Sequence, residues 1–172
     1  VMPEIVLPGH IRGISPDRIV VGLSEEETMP VTFPRDNRLT LISGMEESGK
    51  TNMLRIIARQ LAGTCRVLFV NADKEEDAGK RIADIIRRAS AEEKTALFVD
   101  NFPKWLSEAD YQTLNDLEDL AGDRKNHSFS LYAAGDAAEV IQESSGIVGR
   151  MIRSGYSILL GGSFQEHSCQ FE

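Results

Sequence analysis

The sequence is sparing with the residues that staple or metallate a fold. Its two cysteines, Cys65 and Cys169, show neither metal-ligand spacing nor a disulfide framework. A reducing, cytosolic compartment is therefore the default expectation. The three histidines, His10, His127 and His167, form no metal spacing either. No apolar run is long enough to span a bilayer, and no signal peptide is visible. Asn126-His127-Ser128 is formally a glycosylation acceptor, which means nothing in a cytosolic domain. Basic charge is also short: 19 Lys and Arg against 27 Asp and Glu leave a formal net charge of −8. That argues against a surface gripping nucleic acid mainly through its phosphates, which needs clustered Lys and Arg. It leaves open a DNA channel built from a few residues per subunit of a ring. Internal repeats and low-complexity tracts are absent.

What remains is ordinary in composition, with 41% hydrophobic and 27% charged residues in 172, enough for one compact domain with a single core. The chain begins with Val and stops at Glu166-His-Ser-Cys-Gln-Phe-Glu172, without a helix stop or charged tail, so it is expected to be a domain cut from something longer. Residues 1–38 divide off as a lead-in. Pro3, Pro8, Gly9, Gly13 and Pro16 open it, and the β-like runs 18–23 and 30–33 form a hairpin across the acidic stretch 24–28. Residues 39–172 then alternate strand and helix. Strands are expected at 39–43, 66–70, 95–99, 128–133 and 157–160. Helices are expected over 50–62, from about Asp73 with Ala78, Ile82, Ile85, Ile86 and Ala89 inward, over 107–121, and over 136–154 with a break near Ser144-Ser145-Gly146. Such alternation predicts an α/β fold, a mainly parallel sheet with helices on both faces and ligands at the carboxyl ends of the strands.

At one of those ends stands Gly44-Met-Glu-Glu-Ser-Gly-Lys-Thr51, the spacing of a phosphate-binding P-loop. Crowded phosphate oxygens need many converging donors, and glycine lets backbone N–H groups approach without a Cβ in the way. The helix that follows turns its free N–H groups and dipole toward the anion. Ser48, Gly49, Lys50, Thr51 and Asn52 are expected to supply the amide cradle, Lys50 to neutralise the β- and γ-phosphates, and Thr51 to offer its hydroxyl to Mg²⁺. Glu46 and Glu47 fit less well beside a triphosphate and are expected to point into solvent; close to the phosphates they would weaken affinity.

Ala96-Leu-Phe-Val-Asp100 reads as the metal-side strand, with Asp100 holding the Mg²⁺ water shell. ATP hydrolysis also needs a group that orients or deprotonates water, commonly an acid directly after that Asp. Here the residue is Asn101, whose amide is no general base at neutral pH but can still position water. The fourth strand reads Tyr132-Ala-Ala-Gly135 and shows no polar side chain for the γ-phosphate. Both departures predict a site that binds ATP and hydrolyses it slowly or not at all.

With Val21-Gly22-Leu23 and Met29-Pro30-Val31 ahead of the loop, Asp100 on the third strand and Gly161-Gly162 after the fifth, the chain resembles the FtsK/SpoIIIE-type ATPases. More closely, it is similar to the C-terminal ATPase domains of the type VII secretion motor EccC or EssC. The likeness spans roughly residues 3–164. It implies a RecA-like P-loop NTPase with sheet order 5-1-4-3-2, ATP and Mg²⁺ as cofactors, and a membrane-anchored parent with several such domains on the cytoplasmic face. Partners implied are the neighbouring ATPase domains and small helical secretion substrates, which the last domain is implicated in docking. Later domains of that motor are often degenerate, which suits Asn101. Two other readings compete: an active motor for protein or DNA, and an interaction module that has lost nucleotide. Trp105 is expected to cap the core, with a partner contact as the alternative. The basic residues Lys80, Arg81, Arg87 and Arg88 read as a solvated helix face. Arg35, Arg38, Arg150 and Arg153 are candidates for a finger on a neighbour's nucleotide.

Overall fold

The computed structural model describes residues 14–24, 29–89, 93–123, 128–142 and 145–161. Pro3, Pro8, Gly9, Gly13, residues 25–28 of the acidic stretch, all three histidines, Cys169, Gly162 and Asn126 of the acceptor sequence fall outside them. An antiparallel hairpin comes first, β1 (Arg18–Leu23) with β2 (Pro30–Pro34), with a register shift between Val20 and Gly22. The rest alternates: β3 (Leu39–Gly44), α1 (Lys50–Leu61), β4 (Arg66–Asn71), α2 (Ala78–Arg88), β5 (Thr95–Asp100), α3 (Phe102–Glu108), α4 (Tyr111–Gly122), β6 (Phe129–Asp136), α5 (Ala137–Gln142), α6 (Gly146–Ser154) and β7 (Tyr156–Leu160).

The five core strands are all parallel and lie in the order β4-β5-β6-β3-β7. Counted from β3, this is the expected 5-1-4-3-2. Crossovers between parallel strands are right-handed, so the direction of each step decides which face its helix covers. Only the step from β3 to β4 runs against the others. α1 accordingly packs on one face with Ile42, Ala96, Phe98, Tyr132 and Ala134. The helices α2 to α6 cover the other face, over Leu41, Val70, Leu97, Val99, Leu131 and Ala133. Alternate residues of one strand thus belong to two different cores, as the period of two requires.

With one helix on its face, the α1 side needs a second cover, and the hairpin supplies it. Ile19 and Phe33 are buried there with Leu54 and Ile57, and Phe33 stacks on Tyr156 at 5.4 Å. The Gln60 side chain clasps the edge of β1: its Oε1 accepts from Val20 N at 2.9 Å and its Nε2 donates to Val20 O at 2.8 Å.

Three expectations need correction. The helix after Asp73 begins only at Ala78, because 72–77 form turns held by Asn71. The expected helix 107–121 begins only at Tyr111, where Asp110 caps α4 by accepting from Thr113 N at 2.9 Å, and residues 107–108 instead end a separate helix, α3, that was not expected. The fourth strand runs on to Asp136. Trp105 is 2% exposed and stacks on Phe102 at 5.3 Å, so it belongs to the core. Lys80, Arg81, Arg87 and Arg88 are exposed as expected, the first three in ion pairs with Asp77, Glu75 and Asp84.

Candidate functional site

β3 delivers the chain to the carboxyl edge of the sheet at the point where the strand order reverses, the usual place for a ligand in such folds. Gly44 ends it in a space that tolerates no side chain: a Cβ there would stand 2.4 Å from Leu160 O and 2.5 Å from Ser48 Oγ. Gly49, at φ 93°, is the N-cap of α1, and no side chain caps that terminus. The first intrahelical bond runs from Met53 N to Gly49 O at 2.9 Å. The amides of Lys50, Thr51 and Asn52 therefore lie in the turn whose donors a helix cannot satisfy itself. Ser48 Oγ is buried without a hydrogen-bond partner among the described residues. An uncapped helix start, an orphaned hydroxyl and a glycine packed against backbone fit a phosphate group. Lys50 is turned onto its own loop, donating to Gly44 O at 3.0 Å and to Met45 O.

Opposite the loop, Asp100 is 6% exposed and fully engaged. Its Oδ2 accepts from Thr51 Oγ1 at 2.6 Å and from Asn71 Nδ2 at 3.2 Å, and its Oδ1 accepts from Asn101 N at 3.1 Å. A hydroxyl and a carboxylate in contact form the hard oxygen pair that suits Mg²⁺. Asn101 lines the cleft in the left-handed region (φ 57°, ψ 49°), and its side chain makes no cap bond to α3. Behind it, Lys104 donates to Asp73 Oδ1 at 2.9 Å, and that bond holds the Lys104 ammonium above the usual lysine pKa.

The cleft holds about 380 Å³ and is lined by Glu46, Lys50, Thr51, Asn71, Asp73, Asp100, Asn101, Gly135, Asp136 and Glu139. One expectation holds in part and one fails. Glu46 and Glu47 are both exposed, Glu47 with φ 60°, but Glu46 also lines the cleft. The end of the fourth strand also carries a polar group: Asp136 lies in register with Gly44, and its Oδ1 accepts from Ala138 N at 2.9 Å. Asn71, Asp136 and Glu139 carry no expectation from the sequence, and Asp73 is expected only as a helix start; all four line the cleft. Only their position just beyond apolar strand runs could have signalled them. A larger concavity, about 420 Å³ between α2 and the β4 edge, contains none of the P-loop residues.

The four candidate finger arginines are remote from this loop, on segments at the amino ends of the strands. Arg35 is committed to the carbonyls of Pro16 (2.7 Å) and Gln60, and Arg38 to that of Leu120 (2.6 Å). Arg150 sits against Gly122, and Arg153 is exposed.

Loop, sheet order and metal-side carboxylate together define a P-loop ATPase fold. The family model for the ATPase family associated with various cellular activities (AAA) matches residues 40–154, and the chain belongs to that family. Among solved structures, it is similar to EssC (ATPases 2 and 3) from Geobacillus thermodenitrificans, with a TM-score of 0.76 and 17% identity over 94% of this chain and 37% of that one. It is also similar to Thermomonospora curvata EccC (ATPases 2 and 3) in complex with a signal sequence peptide, with a TM-score of 0.69 and 16% identity over 87% and 35%. Aquifex aeolicus DnaA bound to AMPPCP aligns with a TM-score of 0.50 and 15% identity over 72% and 40%. The chain thus spans well under half the length of each. These likenesses concern the fold. A sequence search of curated proteins gives no match. No helix among the described residues is long and apolar enough to cross a membrane.

Proposed function

We propose that this chain is an ATP-binding, hydrolysis-impaired ATPase domain of a type VII protein-secretion motor. In this reading residues 1–38 form a lead-in and hairpin, and 39–172 the nucleotide-binding core. The observation that carries it is the uncapped start of α1 facing the Thr51–Asp100 contact of 2.6 Å. Gly44, Ser48, Gly49, Lys50, Thr51 and Asn52 hold the phosphates, with Lys50 exchanging its loop carbonyls for phosphate oxygens. Thr51 and Asp100 hold Mg²⁺, Asp100 through water. Five carboxylates and a single lysine line the cleft, so a triphosphate needs that cation to enter. The fold it shares with EccC and EssC supports the secretion assignment. On that assignment the partners are neighbouring ATPase domains, the parent is anchored in the membrane, and the domain faces the cytoplasm. The signal-sequence peptide bound to the Thermomonospora protein supports a role in regulation or substrate docking.

Impaired hydrolysis now rests on Asn101 alone, since the fourth strand does end in an acid. That acid, with Glu139 beside it, favours the second reading, an active motor ATPase driving protein or DNA translocation. Calorimetric titration with Mg-ATP beside a phosphate-release assay separates the two. The expected outcome is binding with turnover near background. Rapid turnover by the chain alone would overturn the impaired-hydrolysis reading, and a Lys50→Ala variant that bound ATP unchanged would overturn the loop assignment.

A further inference from the structure

How Asp100 presents its carboxylate to a cation depends on the rotation about its last torsion, and that torsion is soft. Three donors fix it. One is the Asn101 backbone amide, which any residue would supply. Another is Thr51, whose oxygen must turn a lone pair to the cation when one binds. The third, Asn71 Nδ2, is the side-chain donor that does not depend on the cation.

Asn71 is itself fixed at every polar atom. Its Oδ1 accepts from Asp73 N and Lys74 N, both at 3.0 Å, which settles the amide orientation and leaves Nδ2 to face Asp100. Its backbone N–H donates to Glu75 Oε1 at 2.9 Å. It stands in register with Asp100 on the adjacent parallel strand, and Ala72 N bonds Asp100 O at 3.0 Å. The Asp73–Lys104 ion pair pins the turn that follows to α3. We infer that Asn71 is a positioning residue for Asp100, holding the carboxylate toward Thr51 before any cation arrives. The inference rests on the reading of this cleft as a Mg-ATP site.

The test uses the whole 172-residue chain and two variants. Asn71→Ala removes both the donor to Asp100 and the acceptor for the turn. Asn71→Ser keeps a turn acceptor but is too short to reach Asp100. ATP affinity is measured by calorimetry with Mg²⁺ and with EDTA, and Mn²⁺ occupancy in the presence of ATP by electron paramagnetic resonance. Both variants are expected to need about tenfold more cation for half-saturation, the usual cost of losing a group that orients a metal ligand, with ATP affinity in EDTA unchanged. Wild-type cation dependence in Asn71→Ser would show a turn residue and nothing more, and would overturn the inference. So would an equal loss of ATP affinity with and without cation. Should Asn71→Ala fail to fold, Asn71→Ser decides alone. A wild-type chain that bound no ATP would sink the cleft reading itself, a result distinct from either.

Discussion

Asn101 occupies a backbone conformation that few side chains accept. The left-handed region costs an ordinary L-residue roughly 1–2 kcal/mol, and Asn and Asp are the usual exceptions. The residue type here therefore answers to geometry as well as to chemistry, and no pattern in the sequence marks that geometry. Asn101→Asp suits the same backbone and adds a carboxylate. It is expected to keep the thermal midpoint and raise phosphate release by about tenfold or more, within the range of general-base effects. Release still at background would show that Asn101 is not what limits turnover. That Gly44, Gly49, Lys50, Thr51 and Asp100 come together was legible because the loop's spacing and an apolar strand ending in an acid are recognisable patterns. Asn71 and Asp136 were not, because they reach the cleft through register: Asn71 opposite Asp100, Asp136 opposite Gly44. A single sequence shows where parallel strands are but not how they are aligned.

At the scale of elements, strands were read to within a residue or so at most ends, since apolar runs of this length have few alternatives. The ends that failed are those where side chains compete with the ladder or the helix. Asn71 draws two backbone amides into a turn and delays α2. Asp110 caps α4 and separates it from α3. α3 itself was hidden because Phe102-Pro103 reads as a loop, whereas proline in the first turn of a helix lacks only a donor that would go unused. Its packing depends on Gly135, where a Cβ would stand 2.6 Å from Pro103 Cδ and 2.7 Å from Cγ. Gly135→Ala must push α3 off β6. A loss of about 1–3 kcal/mol is expected, as for other overpacked cores, together with faster amide exchange in α3. A variant with wild-type stability and exchange would show that α3 gives way freely and does not fix the wall behind Asn101.

Over the whole molecule, one reversed crossover leaves the α1 face with a single helix, and the hairpin completes it. The sheet order was foreseen from family likeness; the hairpin's place against α1 had no signal in the sequence. Both ends of α1 are occupied. Its first residues belong to the phosphate loop, while near its last turn Gln60 clasps Val20 and the Gln60 carbonyl accepts from Arg35. A 12-residue helix is a stiff rod of about 18 Å. Amide exchange in β1 and β2 is expected to slow when Mg-ATP is added, and Gln60→Ala is expected to abolish that slowing. Equal slowing in the variant would show that the clasp carries no signal. On that expectation α1 is a transmission shaft, with nucleotide binding at one end and, some 18 Å away, a surface hairpin whose stiffness reports it.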